Sequence, residues 1–235
     1  MVNILITKER KMTEIYLVRH GQASFGKANY DKLSELGIQQ AKWLGEYFSH
    51  REVTFDDVYM GEMVRHDETT QGIADGLGNL PVPKVHSELN EFNFQAVAKA
   101  YLDANPNDAV PEGAPPAEFY RLLRKAMLAW ASDTLPHELL DESWADFEQR
   151  AFNMLQHLQQ SDKKRVLVVS SGGAISMMLK HIIGYSAPMV INMNLQIRNA
   201  SFSQCFANKR GVHLNNFNSV PHLDVIDRLH AITYS

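Results

Sequence analysis

Short apolar runs separated by amphipathic stretches predict strands that alternate with helices. Residues 15–18 and 166–169 are continuously apolar, which is typical of strands buried on both faces of a parallel sheet. The predicted strands lie at residues 15–18, 58–60, 85–86 and 166–169, followed by a late hairpin of 202–207 and 212–217. This alternation predicts an α/β fold, a three-layer sandwich with a mostly parallel sheet.

Between these strands, apolar residues recur at the spacing of an α-helix. Ser34 is a suitable N-cap for a helix over about 35–50, and further helices are predicted over 65–73 and 174–183. The segment of about 95–160 has a different character, because five of the nine prolines fall between Pro106 and Pro136 and apolar residues recur at helical spacing. We interpret it as an all-helical insertion ahead of the last core strand, within one domain spanning residues 1–235.

Composition excludes several classes of protein. Hydrophobic residues make up 45% of the chain, enough for a sizeable core, and the net charge of −4 argues against a nucleic-acid binder. No segment reaches the roughly 18 apolar residues of a membrane span, and the N-terminus has no basic start or cleavage site of a signal peptide. We therefore expect a cytoplasmic protein that binds no membrane, with residues 1–13 as an N-terminal extension.

Ten histidines accompany a single cysteine, so a metal site is the first chemistry to test. The closest pair, His222 and His230, is eight residues apart. Two ligands on one helix face would need a spacing of roughly three to five residues. The sequence therefore predicts neither a metal site nor a cofactor.

Two strand ends carry residues suited to phosphate. Arg19, His20, Gly21 and Gln22 follow the first strand, and the glycine lets a ligand approach the backbone. The segment 171–173 follows the last core strand at the start of a helix, where free N–H groups and the helix dipole favour an anion. Because ligands of open α/β sheets bind at the carboxyl ends of strands, both segments point to a phosphate site.

Five ordered segments carry a resemblance to a known family. They are residues 17–22 (LVRHGQ), 33–41 (LSELGIQQA), 63–70 (MVRHDETT), 89–91 (LNE) and 168–173 (VVSSGG). In this order they resemble the motifs of the histidine phosphatase superfamily, the phosphoglycerate-mutase-like proteins. The resemblance runs from residue 14 to about 182, and it places the helical insertion between the acid motif and the last core strand.

The resemblance implies a role for each motif residue. It assigns His20 as a nucleophile that forms a phosphohistidine, with Arg19 and Arg65 holding the phosphoryl oxygens. Glu91 is implied as the general acid and base, with Glu88 as the second choice. The implied phosphate-binding residues are Arg19, Gly21, Gln22, Arg65, Ser171 and Gly172, and Ser24 is a further candidate.

The sequence departs from the family pattern at three positions. Ser171 stands where the family normally has a second histidine, His66 stands where a small residue is usual, and Gln95 replaces a common glycine. A serine hydroxyl can donate a hydrogen bond but supplies no positive charge. His66 could compensate from another direction, although we expect it to be an exposed helix residue.

These features favour a metal-independent phosphatase acting on a small phosphorylated substrate. A phosphoglycerate mutase is less favoured, because a mutase must retain its phosphoenzyme and the second histidine is missing. The alternative is a weak or inactive family member that binds a phosphorylated ligand. A serine hydrolase using Ser171 with Asp224 or Asp227 and His230 is the least favoured, because the G-x-S-x-G elbow is absent. The sequence indicates no oligomeric state.

Overall fold

Six strands and seven α-helices make up the part of the chain that the computed structural model describes, residues 12–24, 31–111 and 113–234. The strands are β1 (Thr13–Arg19), β2 (Asp57–Met60), β3 (Lys84–Val85), β4 (Arg165–Ser170), β5 (Phe202–Asn208) and β6 (Gly211–Ser219). The helices are α1 (Glu35–His50), α2 (Val64–Leu77), α3 (Phe94–Ala104), α4 (Pro116–Ala131), α5 (Trp144–Gln159), α6 (Gly172–Ile183) and α7 (Ala187–Gln196).

The strands form one sheet in the order β3-β2-β4-β1-β5-β6. Neighbouring strands among β1 to β4 are parallel, whereas β5 runs antiparallel to both β1 and β6. The predicted α/β fold with a mostly parallel sheet is confirmed. The carboxyl ends of β1, β2, β3 and β4 therefore meet at one edge of the sheet.

Helices cover both faces of the sheet because its central strands are apolar on both sides. Ile15 and Leu17 of β1 pack into the core formed with α3 to α7, whereas Tyr16 and Val18 pack into the core formed with α1 and α2. This alternation follows from the two-residue period of a strand and produces three layers.

Local signals define the two helices nearest the phosphate motifs. The Ser34 hydroxyl accepts a hydrogen bond of 3.0 Å from the Gly37 amide, which confirms the predicted N-cap of α1. Helix α2 extends from Val64 to Leu77, further than the predicted 65–73, and ends at Gly78 in the left-handed conformation that glycine tolerates. The two helices pack together on one face of the sheet.

The segment predicted as helical contains α3, α4 and α5. Its tryptophans lie in the core: Trp130 is 2% exposed and packs on Phe92 and Phe147 with ring centroids 4.9 and 5.6 Å apart. The Trp144 ring meets Trp130 edge-on at 5.1 Å. This aromatic cluster fixes the helical layer against the sheet.

The structure differs from the sequence-based expectation at helix α7 and at the start of the first strand. Helix α7 was not predicted, because Pro188 and two asparagines interrupt its apolar pattern; buried Val190 and Ile191 hold it in place. The predicted N-terminal extension lies outside the described residues up to position 11, and Thr13 already belongs to β1. No helix of the described segments is both long and apolar enough to cross a membrane.

Candidate active site

A cavity of about 740 Å³ opens at the carboxyl edge of the parallel strands. His20 follows β1, Arg65 lies in the first turn of the helix after β2, and Glu91 follows β3. The motif residues that line the cavity are Arg19, His20, Gln22, Ser24, Arg65 and Glu91. The topology therefore brings together side chains up to about seventy positions apart in the sequence.

The imidazole of His20 is held by the backbone around it. Its Nδ1 lies 2.7 Å from the carbonyl oxygen of Gly21. A carbonyl can only accept, so Nδ1 carries the proton and Nε2 of the neutral ring keeps its lone pair. The backbone N–H of His20 donates to Ser170 at 2.9 Å, and its carbonyl accepts from the Ala200 amide at 3.1 Å. The nucleophile predicted from the sequence is thus rigidly placed.

The surroundings of His20 keep the ring neutral. Burial has the largest effect and the positive charges of Arg65 and Arg19 come next; together they hold its pKa well below the usual 6.5. The His66 ring, whose centroid is 5.9 Å away, acts in the same direction. A neutral imidazole is the form that can attack phosphorus.

The two arginines of the cavity are oriented by different anchors. An Nη1 of Arg65 donates to Asp31 at 2.7 Å, and the other carboxylate oxygen of Asp31 accepts from the first amide of α2. Arg19 Nη1 donates to the carbonyls of Ile197 and Tyr234, the latter at 2.8 Å. Both guanidinium groups are therefore held at the cavity by contacts that the sequence did not reveal.

Glu91 is bound to the start of α6. The amide of Gly173 donates to its Oε2 at 3.0 Å, so the helix N-terminus that we expected to hold a phosphate already holds this carboxyl group. Burial nevertheless raises the pKa of Glu91, because it outweighs the opposing effects of the Gly173 amide and of the nearby arginines. A raised pKa favours the protonated form that a general acid needs.

Ser171 and His66 form a buried pair beneath the cavity. His66 Nε2 and Ser171 Oγ lie 2.8 Å apart, and both residues are fully buried. The expectation that His66 is an exposed helix residue is wrong: it points inward beside Gly61, where an added Cβ would come 2.3 Å from its Nδ1. Burial first, and the charge of Arg65 second, lower the pKa of His66 to about 3, so the ring is neutral.

Three of the predicted phosphate-binding residues do not line the cavity. Ser171 is engaged by His66 and does not cap α6 with its side chain. The Gly21 amide donates to Thr69 Oγ1 at 3.0 Å, and a Cβ on Gly21 would meet the Gly37 carbonyl at 2.4 Å, so this glycine permits contact with α1. Gly172 is buried against Asn194, whose Oδ1 would lie 2.5 Å from an added Cβ.

The structure does not bring together the residues of the alternative site assignments, Glu88 as the acid and the serine triad. Glu88 is outside the cavity lining, and its half-exposed carboxylate lies 3.6 Å from His86. Asp224, Asp227 and His230 are exposed, and the partner of Ser171 is His66, so the proposed serine triad does not form. Across residues 12–24, 31–111 and 113–234, no three histidine, cysteine or carboxylate side chains group as metal ligands.

Known proteins share part of the sequence and the fold of this chain. A probable phosphoglycerate mutase from Erwinia tasmaniensis is 25% identical over 214 residues, covering 82% of this chain and 84% of the relative. A putative alpha-ribazole-5'-P phosphatase from Escherichia coli shares the fold with a TM-score of 0.64 and 21% identity, over 88% of this chain and 96% of its own. A phosphoserine phosphatase from Entamoeba histolytica superposes with a TM-score of 0.63 and 21% identity, over 90% and 99% of the two chains.

The family model extends across nearly the whole described fold. It begins within β1, just before His20, and ends beyond β6, so it includes every cavity-lining motif residue. The model that matches residues 15–220 is that of the histidine phosphatase superfamily (branch 1), and this chain belongs to that superfamily.

Proposed function

We propose that this protein is a metal-independent phosphatase that hydrolyses a small phosphate monoester through a phosphohistidine on His20. One observation carries the proposal: a neutral imidazole, its Nδ1 bound to the Gly21 carbonyl, lies in a cavity with Arg19, Arg65 and Glu91. Nucleophile, positive charge and acid are the three components that transfer of a phosphoryl group requires.

In the first step, Nε2 of His20 attacks phosphorus and a P–N bond forms. The bond between phosphorus and the ester oxygen breaks, and its electron pair stays on that oxygen. Glu91 gives its proton to the departing oxygen, which leaves as an alcohol. Arg19 and Arg65 neutralise the charge on the phosphoryl oxygens, where their planar guanidinium groups allow paired hydrogen bonds.

In the second step, water attacks the phosphorus of the phosphohistidine. Glu91, now ionised, takes a proton from the water, the P–N bond breaks, and its electron pair returns to Nε2. Inorganic phosphate leaves and Glu91 is again protonated. The depressed pKa of His20 supports this step as well, because burial and nearby arginines leave the ring neutral when it is released.

A second candidate is a protein that binds a phosphorylated ligand without turning it over. The observation in its favour is that Ser171 and His66 are both fully buried and neither lines the cavity, so no second imidazole joins His20 there among the described residues. The same gap argues against a mutase, since a phosphoenzyme that must be retained needs more contacts than one that is hydrolysed.

Replacement of His20 by alanine tests the proposal. Phosphate release from 4-nitrophenyl phosphate should be abolished, whereas His222→Ala, which removes another buried histidine that does not line the cavity, should retain activity. The wild-type protein should keep its activity in a chelator. Brief exposure to substrate should leave phosphate on His20 that survives alkali and is lost in acid.

The outcomes separate the two candidates. Unchanged turnover by the His20→Ala variant would contradict the nucleophile assignment. Tight binding of phosphate esters by the wild type, with no phosphohistidine and no turnover, would favour the binding protein.

A further inference from the structure

The cavity continues well beyond the residues that would hold a phosphoryl group. Its remaining lining is dominated by an apolar wall, which we define as Phe92, Phe94, Phe119, Tyr120, Leu123 and Leu195. The wall comes from the start of α3, from one side of α4 and from the end of α7. A cavity of about 740 Å³ lies in the range of sites for drug-sized ligands, so it has room for an organic group as well as the phosphate.

The apolar wall begins beside the acid. A Cβ built on Gly173 would lie 2.2 Å from Glu91 Oε1 and 3.0 Å from Phe92 Cε1, so the carboxyl group and the ring are neighbours. Phe92 is 4% exposed and is fixed between Trp130 and Phe147, with ring centroids 4.9 and 5.5 Å away. The edge of a rigid aromatic ring therefore adjoins the carboxyl group of Glu91.

The other side chains of the wall line the cavity, and some of them also pack against the hydrophobic core. Phe94, Leu123 and Leu195 pack against the core cluster and remain half-buried. Phe119 and Tyr120 are half-buried neighbours on α4, with ring centroids 6.4 Å apart. Half-buried apolar side chains that line a concave site are typical of a surface that a ligand covers.

Within the described part of the lining, charged side chains are found only at the phosphoryl end of the cavity. Among the described residues of the lining, the ionisable groups other than tyrosine are Arg19, His20, Arg65 and Glu91, all of them used in the proposed reaction. Among these described residues, a carboxylate or ammonium on the leaving group would find no charged partner along the apolar wall, and an unpaired charge removed from water is costly.

We infer that the substrate is a phosphate monoester of an uncharged, largely apolar alcohol, with an aromatic or branched aliphatic group lying against this wall. This inference rests on the proposed phosphatase activity and adds the class of the leaving group. The aromatic side chains at positions 92, 94, 119 and 120 favour an aromatic ring, because ring pairs gain from offset or edge-to-face contact.

Alkyl phosphates of similar leaving-group acidity provide the test. We expect kcat/KM for 2-phenylethyl phosphate to exceed that for ethyl phosphate by about 30-fold or more, as burial of a phenyl group would give. O-phosphoserine and 3-phosphoglycerate, which carry charges on the leaving group, should be poorer than ethyl phosphate. Equal rates for the two alkyl esters, or preference for the charged esters, would overturn the inference.

Variants on α4 connect the preference to the wall. Phe119→Ala should reduce the ratio of kcat/KM for 2-phenylethyl phosphate to kcat/KM for ethyl phosphate by about tenfold. Arg121→Ala is the matched control, because Arg121 is exposed on the same helix, paired with Glu118 and absent from the lining. If Phe119→Ala leaves this ratio unchanged, or if both variants reduce it equally, the apolar wall is not the cause of the preference.

Failure of the inference is distinguishable from failure of the proposed function. Turnover of all esters with no apolar preference contradicts the inference alone. If no ester is turned over, the phosphatase proposal fails, and calorimetric binding of the same esters decides the inference. Tighter binding of 2-phenylethyl phosphate would then support the apolar ligand class, and equal binding would refute it.

Discussion

Replacement of Gly173 by alanine should displace the carboxyl group of Glu91 while leaving its chemical identity unchanged. The new Cβ would lie 2.2 Å from Glu91 Oε1, whereas nonbonded carbon and oxygen atoms rest about 1 Å further apart. The nearest obstacle is the end of a flexible side chain, so we expect the carboxyl group to move, while the Phe92 ring, 3.0 Å from the new Cβ, shifts by a few tenths of an ångström. Alanine in place of glycine also favours a helix by about 0.5–1 kcal/mol, which opposes unfolding of α6.

The expected loss follows from that displacement. A misplacement of about 1 Å in a catalytic group can cost about 100-fold in rate, or about 2.7 kcal/mol in the barrier. We expect kcat/KM for an alkyl phosphate such as 2-phenylethyl phosphate to fall by about this factor. The loss for 4-nitrophenyl phosphate should be smaller, because nitrophenolate departs with less help from an acid.

A double-mutant cycle with Glu91→Gln establishes the cause. If Gly173→Ala acts through the acid, then adding it to Glu91→Gln lowers kcat/KM little further, because the acid is already lost. The urea midpoint of each variant checks that the proteins are folded. If the losses in kcat/KM of the two single variants multiply in the double variant, Gly173→Ala does not act through Glu91. Full activity of Gly173→Ala on alkyl phosphates would likewise refute the assignment of Glu91 as a general acid positioned by α6.

Three other predictions concern the charge and packing around the site. Arg65→Gln should raise the pKa of His20 toward 6.5, because a nearby positive charge is removed; an NMR titration of the ring protons measures this, and an unchanged midpoint would contradict it. The free energy of unfolding should fall as the pH drops from 7 toward 5. His20, His66 and His222 have depressed pKa values in the folded protein, so only the unfolded chain takes up their protons below about 6.5. Each can contribute up to about 2 kcal/mol at pH 5, and urea titrations that are flat in pH would disprove the burial of these rings. Trp130→Ala should cost about 3–5 kcal/mol in the same assay, and a loss below about 1 kcal/mol would be inconsistent with its packing.

Short sequence patterns, such as apolar runs and helix-capping residues, were enough to predict most of the strands and helices. The apolar run at 15–18 and the cap at Ser34 act through the backbone conformation of their own neighbours, and both are confirmed. The resemblance to the histidine phosphatase superfamily implied that His20 and Arg65 serve the same phosphoryl group, and the carboxyl ends of parallel strands lie at one edge of the sheet. The cavity does contain both side chains.

Other features depend on contacts between distant segments, which a single sequence does not encode in a readable pattern. His66 and Ser171 are 105 positions apart, and their hydrogen bond exists because β2 lies beside β4, so that the first turn of α2 and the end of β4 meet at the carboxyl edge of the sheet. The Gly173 amide was expected to be available to a phosphate, but Glu91 occupies it. The apolar wall likewise joins α4 to α7, a helix whose sequence pattern is weak.

The side chains at positions 66 and 171 share one enclosed volume, and this makes the two positions epistatic. With Nε2 and Oγ 2.8 Å apart and both residues fully buried, an imidazole at position 171 would collide with His66. Shortening His66 alone would leave the Ser171 hydroxyl without its hydrogen-bond partner, which costs about 1–3 kcal/mol. Each of these single replacements should therefore give a less stable protein, so the effect of a substitution at one of the two positions depends on the residue at the other.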